Sequence, residues 1–279
     1  MTIALALDIG ATNARVAVVE MSEGSIDDRA AVPMAGSTPR AVLAQCRELA
    51  EDLLDGRRPS GVGVSVCELV SPDGSITSHA TLDWTSHDLV AAFGDLADVA
   101  IVSDVVAAGL AEYRFGATRG LSSFLHVNIG SGLSSSLFLE GEPWRGEHGA
   151  AVLLGEEPLG AERLGSGKGL AARAGLLDGA SVLEAAERGD PRCAEICDSG
   201  AAAVGNALGF AINLLDPAAV VLSGGVVHGS RRFREGLIAS VRATTRNDQG
   251  RATPILLSVL GDDPALIGAA LNTLREVRT

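Results

Sequence analysis

The sequence predicts an α/β protein built of two related domains, and three observations support this prediction. Residues 3–19 alternate apolar side chains around a short polar turn, which is typical of a β-hairpin. A similar hairpin follows at 124–139. Four positions of the first hairpin recur 120 residues later, as Leu5, Ile9, Gly10 and Glu20 match Leu125, Ile129, Gly130 and Glu140. The chain is 47% hydrophobic but only 3% aromatic, so aliphatic side chains must build the core, which suits an α/β protein with buried strands. Chance matching is the alternative to a repeat.

The remaining segments predict alternating helices and strands. Thr38 followed by Pro39 is typical of a helix start, and this helix should run to about residue 55. Further strands are predicted at 62–69, 99–102, 220–222 and 255–259, and a turn at 141–143. Further helices are predicted at 89–96, 105–115, 168–175, 180–188, 191–215 and 231–244. A terminal helix over 265–277 should pack on the first domain, so we expect domains of 1–103 plus 263–279 and of 104–262.

The turn of the first hairpin is unusual because it concentrates polar groups. Gly10 lets the backbone approach a ligand, and exposed N–H groups with the Thr12 hydroxyl are suited to phosphate oxygens. Asp8 is suited to a hydrated Mg²⁺, which prefers one or two carboxylates plus phosphate oxygens. A polar hairpin turn without any ligand is the alternative.

The net charge of −13 argues against a basic surface for nucleic acid, and Lys168 is the only lysine. No apolar run is long enough to span a bilayer, and no leader segment is recognisable at the start. The sequence therefore favours a cytoplasmic protein with small-molecule ligands and without nucleic-acid or membrane partners.

Several segments resemble the ROK family of sugar kinases and sugar-responsive repressors, within the actin-like ATPase superfamily. Residues 8–13 (DIGATN) resemble the family's first phosphate motif, DIGGTK, and residues 130–132 resemble its second, GTG. Residues 103–112 (SDVVAAGLAE) resemble the family's NDANAAALAE segment, and 213–226 resemble its NLLDP-to-GGGV segment. Residues 162–167 resemble the stretch after the family's zinc loop. Similarity over nearly the whole length implies two actin-like (ribonuclease H-like) domains with a cleft for nucleotide and sugar.

The resemblance also implies roles for individual residues. Asp104 would be the catalytic base that takes the hydroxyl proton, although an aspartate at this place is also a common helix cap. The implied nucleotide-binding residues are Asp8, Gly10, Ala11, Thr12, Asn13, Gly130, Ser131, Gly132, Ser223, Gly224 and Gly225. The implied substrate-binding residues are Glu68, Ser103, Asp104, His148, Glu156 and Glu162.

The departures from the family pattern concern the sugar side. Leu153 and Glu156 stand where the family has the Glu and His of Gly-Glu-Ile-Gly-His, and Cys67-Glu68 replaces a Pro-Gly. The Cys-rich zinc loop is missing, so no structural zinc is expected. Buried polar groups set specificity for hydroxyl groups. Either the substrate therefore differs from plain glucose, or other groups supply the hydroxyl contacts: Glu68, His79, Glu147, His148 and Glu156.

Two main hypotheses remain from the sequence. The first is an ATP-dependent, glucokinase-like kinase that uses Mg²⁺, acts on a sugar or sugar-like hydroxyl, and forms a homodimer as the resemblance implies. The alternative is a non-catalytic sugar or nucleotide sensor with a degenerate sugar site. A hydrolase or a carboxylate kinase of the same superfamily is a third possibility, and the choice between ATP and polyphosphate stays open.

Overall fold

The computed structural model describes residues 2–36, 38–81, 83–156 and 160–275, without the side chains of Asp27 and Glu156. The chain divides into two compact units. Unit 1 comprises Met1–Arg119, Pro143–Ala151 and Val259–Thr279, and unit 2 comprises Gly120–Glu142 and Val152–Ser258. In this division the helix that starts at Asp104 belongs to unit 1. The domain limits expected from the sequence stay a prediction.

The elements follow one another in the order of an α/β chain. The first part of unit 1 contains β1 (Ile3–Ile9), β2 (Asn13–Glu20), β3 (Ile26–Pro33), α1 (Pro39–Leu54), β4 (Val62–Val66), α2 (Ser86–Phe93), β5 (Val99–Ser103) and α3 (Asp104–Phe115). Next come β6 (Ser123–Ile129), β7 (Leu133–Leu139), β8 (Glu142–Trp144), a 3₁₀ helix (Leu154–Glu156), α4 (Ala161–Gly165), α5 (Gly167–Ala174), α6 (Gly179–Glu187) and α7 (Pro191–Leu215). The last part contains β9 (Val220–Ser223), α8 (Gly225–Gly229), α9 (Arg231–Thr244), α10 (Asp248–Ala252), β10 (Ile255–Leu257) and α11 (Pro264–Asn272).

The sheet of unit 1 has the order β3-β2-β1-β4-β5. β1 is antiparallel to β2 and parallel to β4, and β4 is parallel to β5. Leu5 and Leu7 of β1 pack into the larger apolar cluster, which includes buried residues of α1. Ala4 and Ala6 face the opposite way and pack with α11. Both faces of β1 are therefore buried, as expected for a central strand with helices on each side.

Helix α11 packs unusually closely on β4. A Cβ atom at Gly63 would lie 2.0 Å from the carbonyl oxygen of Ala269, which no real side chain tolerates. Glycine is therefore required at position 63, and the predicted packing of the terminal helix on the first domain is confirmed because α11 belongs to unit 1.

The second sheet has the order β8-β7-β6-β9-β10, which repeats the order of the first sheet strand for strand. β6 is antiparallel to β7 and parallel to β9, and β9 is parallel to β10. The 25-residue helix α7 buries one side along most of its length. The repeat found in the sequence is thus a repeat of topology.

The two hairpins differ in one detail that corrects the sequence match. Four residues lie between the paired positions Ile9 and Ala14, whereas only three lie between the paired positions Ile129 and Leu133. The 120-residue offset therefore holds for the first strand of each hairpin and not for the second. Leu139, not Glu140, stands at the position of Glu20.

Helix positions were the most predictable part of the fold. The helices predicted at 191–215 and 231–244 match α7 and α9, and Thr38 caps α1 as expected. The strands predicted at 62–69 and 255–259 are shorter, and the turn predicted at 141–143 lies at Glu140 and Gly141, because Glu142–Trp144 forms β8. The terminal helix ends at Asn272, and residues 276–277 lie outside the described part. Within the described residues, no helix is long and apolar enough to cross a membrane.

Candidate functional site

The carboxyl ends of β1, β4 and β5 bring the acidic residues of unit 1 together. In the parallel pairing, Asp8 lies beside Ser65, and Val66 lies beside Ser103. Asp104 follows Ser103 directly as the first residue of α3. Ligands of α/β sheets bind at such strand ends, so this edge is the candidate catalytic region of unit 1.

Asp8 is held by two partners that sequence reasoning missed. Its Oδ2 accepts hydrogen bonds from Arg15 Nη2 at 2.5 Å and Nε at 3.1 Å, and its Oδ1 accepts one from Ser65 Oγ at 2.8 Å. Arg15 also donates to the carbonyl oxygen of Asp262 at 2.7 Å. The carboxylate therefore has a fixed orientation and an adjacent cation. A single hydroxyl in the otherwise apolar β4 was the only sequence signal for Ser65.

Asp104 is a partly exposed residue whose carboxyl group is strongly desolvated. Burial raises its pKa to about 7, the negative charges of Asp8 and Glu68 add to this rise, and a hydrogen bond from the Val105 N–H opposes it. That bond joins Val105 N to Oδ1 at 2.6 Å. Ser103 occupies the N-cap position of α3 but makes no side-chain capping bond. Asp104 is therefore the first residue of α3 and not its N-cap. Its carboxyl group is suited to proton transfer near neutral pH.

Glu68 and Cys67 follow β4 and have different surroundings from those expected. The buried Glu68 carboxylate accepts hydrogen bonds from the Ser78 hydroxyl and from the N–H groups of Ala80 and Thr81, so it organises the 78–81 loop. Its predicted substrate contact stays a prediction. Burial raises the pKa of the Cys67 thiol to about 11, helped by the charges of Asp104 and Glu68. The thiol is therefore neutral at physiological pH.

The first turn presents its polar groups to solvent. Gly10 N–H donates to the carbonyl oxygen of Asn13 at 3.0 Å, which closes the turn. Ala11, Thr12 and Asn13 are exposed, and Asn13 already belongs to β2. The Thr12 hydroxyl and the turn therefore have room for the phosphate contacts predicted for them.

Unit 2 contains a pocket of about 620 Å³. It brings together Gly130, Ser131 and Gly225, three of the predicted nucleotide-binding residues. The other walls come from α5, the loop after it, α6 and the start of α8, which sequence reasoning did not assign: Gly167, Lys168, Ala171, Ala172, Leu176, Leu177, Asp178, Gly179, Ala180, Leu183 and Val226. These walls are mostly apolar, and such walls with a few polar groups are typical of ligand sites.

Three other predicted nucleotide-binding residues lie beside the pocket and do not line it. Ser223 is buried, and its hydroxyl makes hydrogen bonds with His126 Nε2 at 2.9 Å and Asn128 Oδ1 at 3.4 Å. Gly224 has a φ of 96°, and a Cβ there would lie 2.5 Å from the Ile129 carbonyl oxygen. Gly132 lies against the Glu162 carboxylate. Ser223 and Gly224 therefore contact the end of β6, and Gly132 contacts Glu162.

The other predicted sugar contacts belong to both units. Glu162 lies in unit 2, where its Oε2 accepts the Leu133 N–H at 2.8 Å. His148 is exposed in the Pro143–Ala151 segment of unit 1, and the side chain of Glu156 lies outside the described part. Leu153, which replaces the family's Glu, is 42% exposed. Val152 before it has a φ of 61°, an uncommon backbone conformation for a β-branched residue.

No group of three or more His, Cys, Asp or Glu side chains is arranged to hold a metal ion in the described part of the chain. The donor set around Asp8 suits a metal that is bound largely through phosphate and water. Oδ2 of Asp8 already accepts two hydrogen bonds from Arg15, so Oδ1, which accepts one from Ser65, is the oxygen that retains acceptor capacity. Mg²⁺ commonly keeps several waters.

Comparison with known proteins places the chain in a family. A sequence profile of the ROK family matches residues 4–276. The bifunctional enzyme NanE/NanK of Brucella melitensis is 31% identical over 186 residues, which make up 62% of this chain but only 35% of that enzyme. The ROK hexokinase of Thermus thermophilus has a TM-score of 0.81 at 25% identity, with 97% of each chain covered. The ROK glucokinase of Streptomyces griseus, solved with glucose and AMPPNP, shares the fold (TM-score 0.82, 23% identity, 96% and 98% covered). The family profile covers nearly the whole chain, and the solved ROK structures share its fold. The chain therefore belongs to the ROK family.

Proposed function

We propose that the protein transfers the γ-phosphoryl group of ATP to a hydroxyl group of a sugar or sugar-like molecule. The observation that carries this proposal is the desolvated Asp104 carboxyl group, with a pKa raised to about 7, at the edge where β1, β4 and β5 end. Family membership and the kinase names of the T. thermophilus and S. griseus relatives support the reaction class.

Asp104 would act as the general base. Above pH 7 its carboxylate is ionised and able to accept the proton of the attacking hydroxyl, a contribution of about 10²–10⁴ in rate. The hydrogen bond from the Val105 N–H fixes the orientation of the group. The neighbouring Cys67 thiol does not compete for protons, because its pKa is raised to about 11.

The nucleoside part of ATP would occupy the pocket of unit 2. Its apolar walls suit a purine ring, and Ser131 and Gly130 border it from the second hairpin turn. Support for ATP comes also from the S. griseus glucokinase, which was solved with AMPPNP. Asp8 would hold Mg²⁺ through water. When bound, that ion neutralises developing charge on the phosphates.

The acceptor would differ from plain glucose or be bound by other groups. Leu153 stands where the family has a glutamate, so a charged hydrogen-bond acceptor is missing there. Hydrogen bonds to charged groups contribute about 1.5–3 kcal/mol each. Glu68, Ser103, His148, Glu156 and Glu162 are the proposed alternative contacts. By family resemblance we also expect a homodimer in the cytoplasm.

The test is a coupled assay of ADP release with Mg-ATP across a panel of hexoses, amino sugars and polyols. We expect release that depends on one class of acceptor and that falls at least a hundredfold in Asp104→Asn. Asp52→Asn is a matched control, because Asp52 is an exposed residue of α1. Equal activity of Asp104→Asn and the parent would reject Asp104 as the base. Nucleotide binding without release for any acceptor would instead indicate a sensor.

A further inference from the structure

The only lysine of the chain lines the pocket of unit 2. Lys168 is an exposed residue in the first turn of α5, and the remaining polar side chains of the lining are Ser131 and Asp178. Lys168 is therefore the only cationic side chain among the residues that line this pocket. The lining is otherwise mostly apolar, so a bound ligand would meet this cation at one defined place in the pocket wall.

The Lys168 ammonium group is available for an anion. Among the described residues, no carboxylate lies within 4.0 Å of it. Asp178, the acidic group of the same lining, already uses Oδ1 to accept the Ser181 N–H at 2.8 Å, as the N-cap of α6. The chain as a whole carries a net charge of −13, so a polyanionic ligand needs a local cation to offset repulsion.

The backbone ties Lys168 to the second hairpin turn. Lys168 N–H donates to the carbonyl oxygen of Ser131 at 3.1 Å, and Gly167 N–H donates to that of Gly130 at 2.7 Å. The first N–H groups of α5 are thereby used within the protein, so the helix start itself offers little to a phosphate. The side chain is what remains to bind one.

We propose that the Lys168 ammonium group binds the phosphate chain of the nucleotide in unit 2, and that it makes no contribution to recognition of the adenosine part. This inference rests on the proposed function and adds to it the residue that distinguishes nucleotides by their number of phosphates. The turn of residues 8–13 contains no lysine or arginine. Lys168 would therefore supply the cationic phosphate contact that neither hairpin turn contains.

The test compares ligands that differ only in phosphate. Binding of ATP, ADP, adenosine and inorganic triphosphate is measured by titration calorimetry to the full chain without acceptor. In Lys168→Ala we expect the affinities for ATP and triphosphate to fall at least tenfold and that for adenosine to stay unchanged. Lys168→Arg should restore most of the ATP affinity, because it restores the charge.

Arg188→Ala is the matched control. Arg188 is an exposed cation of unit 2 outside the pocket lining and pairs with Glu184 along α6. Its loss removes the same net charge and should change ATP affinity less than twofold. An equal loss of adenosine and ATP affinity in Lys168→Ala would overturn the inference, as would unchanged ATP affinity. A parent protein that binds adenosine but neither ATP nor triphosphate would reject it as well. A parent that binds none of the four ligands would reject the proposed function itself.

Discussion

The same register position in the two sheets holds a carboxylate beside a serine in unit 1 and an amide beside a serine in unit 2. Asp8 of β1 lies beside Ser65 of β4, and Asn128 of β6 lies beside Ser223 of β9 in the corresponding register. The serine hydroxyl contacts the side-chain oxygen of its partner in both cases, at 2.8 Å in unit 1 and 3.4 Å in unit 2. A carboxylate in one unit is thus an amide in the other.

One topology thus carries two different sets of side chains at corresponding strand ends. The acidic edge of unit 1 holds Asp8 and Asp104, whose mutual repulsion contributes to the raised pKa of Asp104. The corresponding edge of unit 2 is neutral and borders a pocket with mostly apolar walls. We infer that proton transfer belongs to unit 1 and nucleotide binding to unit 2. Substitutions that exchange or remove these groups test the division.

The largest effect is expected from removing the base in unit 1. Asp104→Asn should lower kcat by about 10²–10⁴, since the amide accepts no proton, while nucleotide affinity measured by calorimetry stays within a few-fold of the parent. Steady-state kinetics of ADP release measure the change. A fall in nucleotide affinity of the same size as the fall in kcat would contradict the division between units.

The pH dependence follows from the raised pKa of Asp104. Because the free protein binds this proton up to about pH 7, kcat/KM should fall about tenfold for each pH unit below 7.

The raised pKa of Asp104 also makes the free energy of unfolding depend on pH. The protonated carboxyl group favours the folded state, and this stabilisation is fully present below pH 3.8, the ordinary pKa, and is lost as the pH rises through 7. Asp104→Asn should therefore match the parent near pH 4 and exceed it by about 4 kcal/mol or less at pH 8. Denaturant unfolding at both pH values measures this, and a variant less stable than the parent at pH 8 would contradict the buried charge.

Exchanging the paired groups should have a smaller effect. Asn128→Asp places a negative charge beside Gly130 and Gly224, so the affinity for ATP should fall about tenfold through repulsion of the phosphates. Asp8→Asn should lower the pKa of Asp104, because it removes one of the charges that raise it. Calorimetry measures the first and the pH profile of kcat/KM the second. Unchanged ATP affinity in Asn128→Asp would place the phosphates away from this strand end.

The smallest effects concern stability. Ser65→Ala removes a donor to a carboxylate and should cost about 1.5–3 kcal/mol, whereas Asn128→Ala should cost about 0.5–1.5 kcal/mol. The second loss is smaller because the longer, neutral contact is weaker and the Ser223 hydroxyl keeps His126 as a partner. Thermal unfolding compares the two variants. Equal losses would mean that the charge of Asp8 does not strengthen its hydrogen bond.

Local pattern predicted the elements well, and long-range placement was harder to predict. Thr38, Pro39 and the periodicity of 191–215 carry their signals within a few turns, so α1 and α7 were predictable. The Asp8–Ser65 pair was not, because it depends on the register between strands 57 positions apart. The pocket walls at 167–183 were missed for a similar reason. That stretch contains no sequence signal for a ligand site. It becomes part of one because α5 hydrogen-bonds to Gly130 and Ser131 of the second hairpin turn. The raised pKa of Asp104 likewise arises only where three strands converge.

The close packing of α11 on β4 has a consequence for the order of folding. Unit 1 is discontinuous along the chain, and its second apolar face is completed by Leu266 and Ala270. The small side chains Ala4, Ala6 and Ala17 stay uncovered until residues 264–272 have left the ribosome. Unit 2, which ends at Ser258, has all of its strands earlier. Synthesis from the N-terminus therefore lets the second unit fold first, and the unit that begins the chain is completed last.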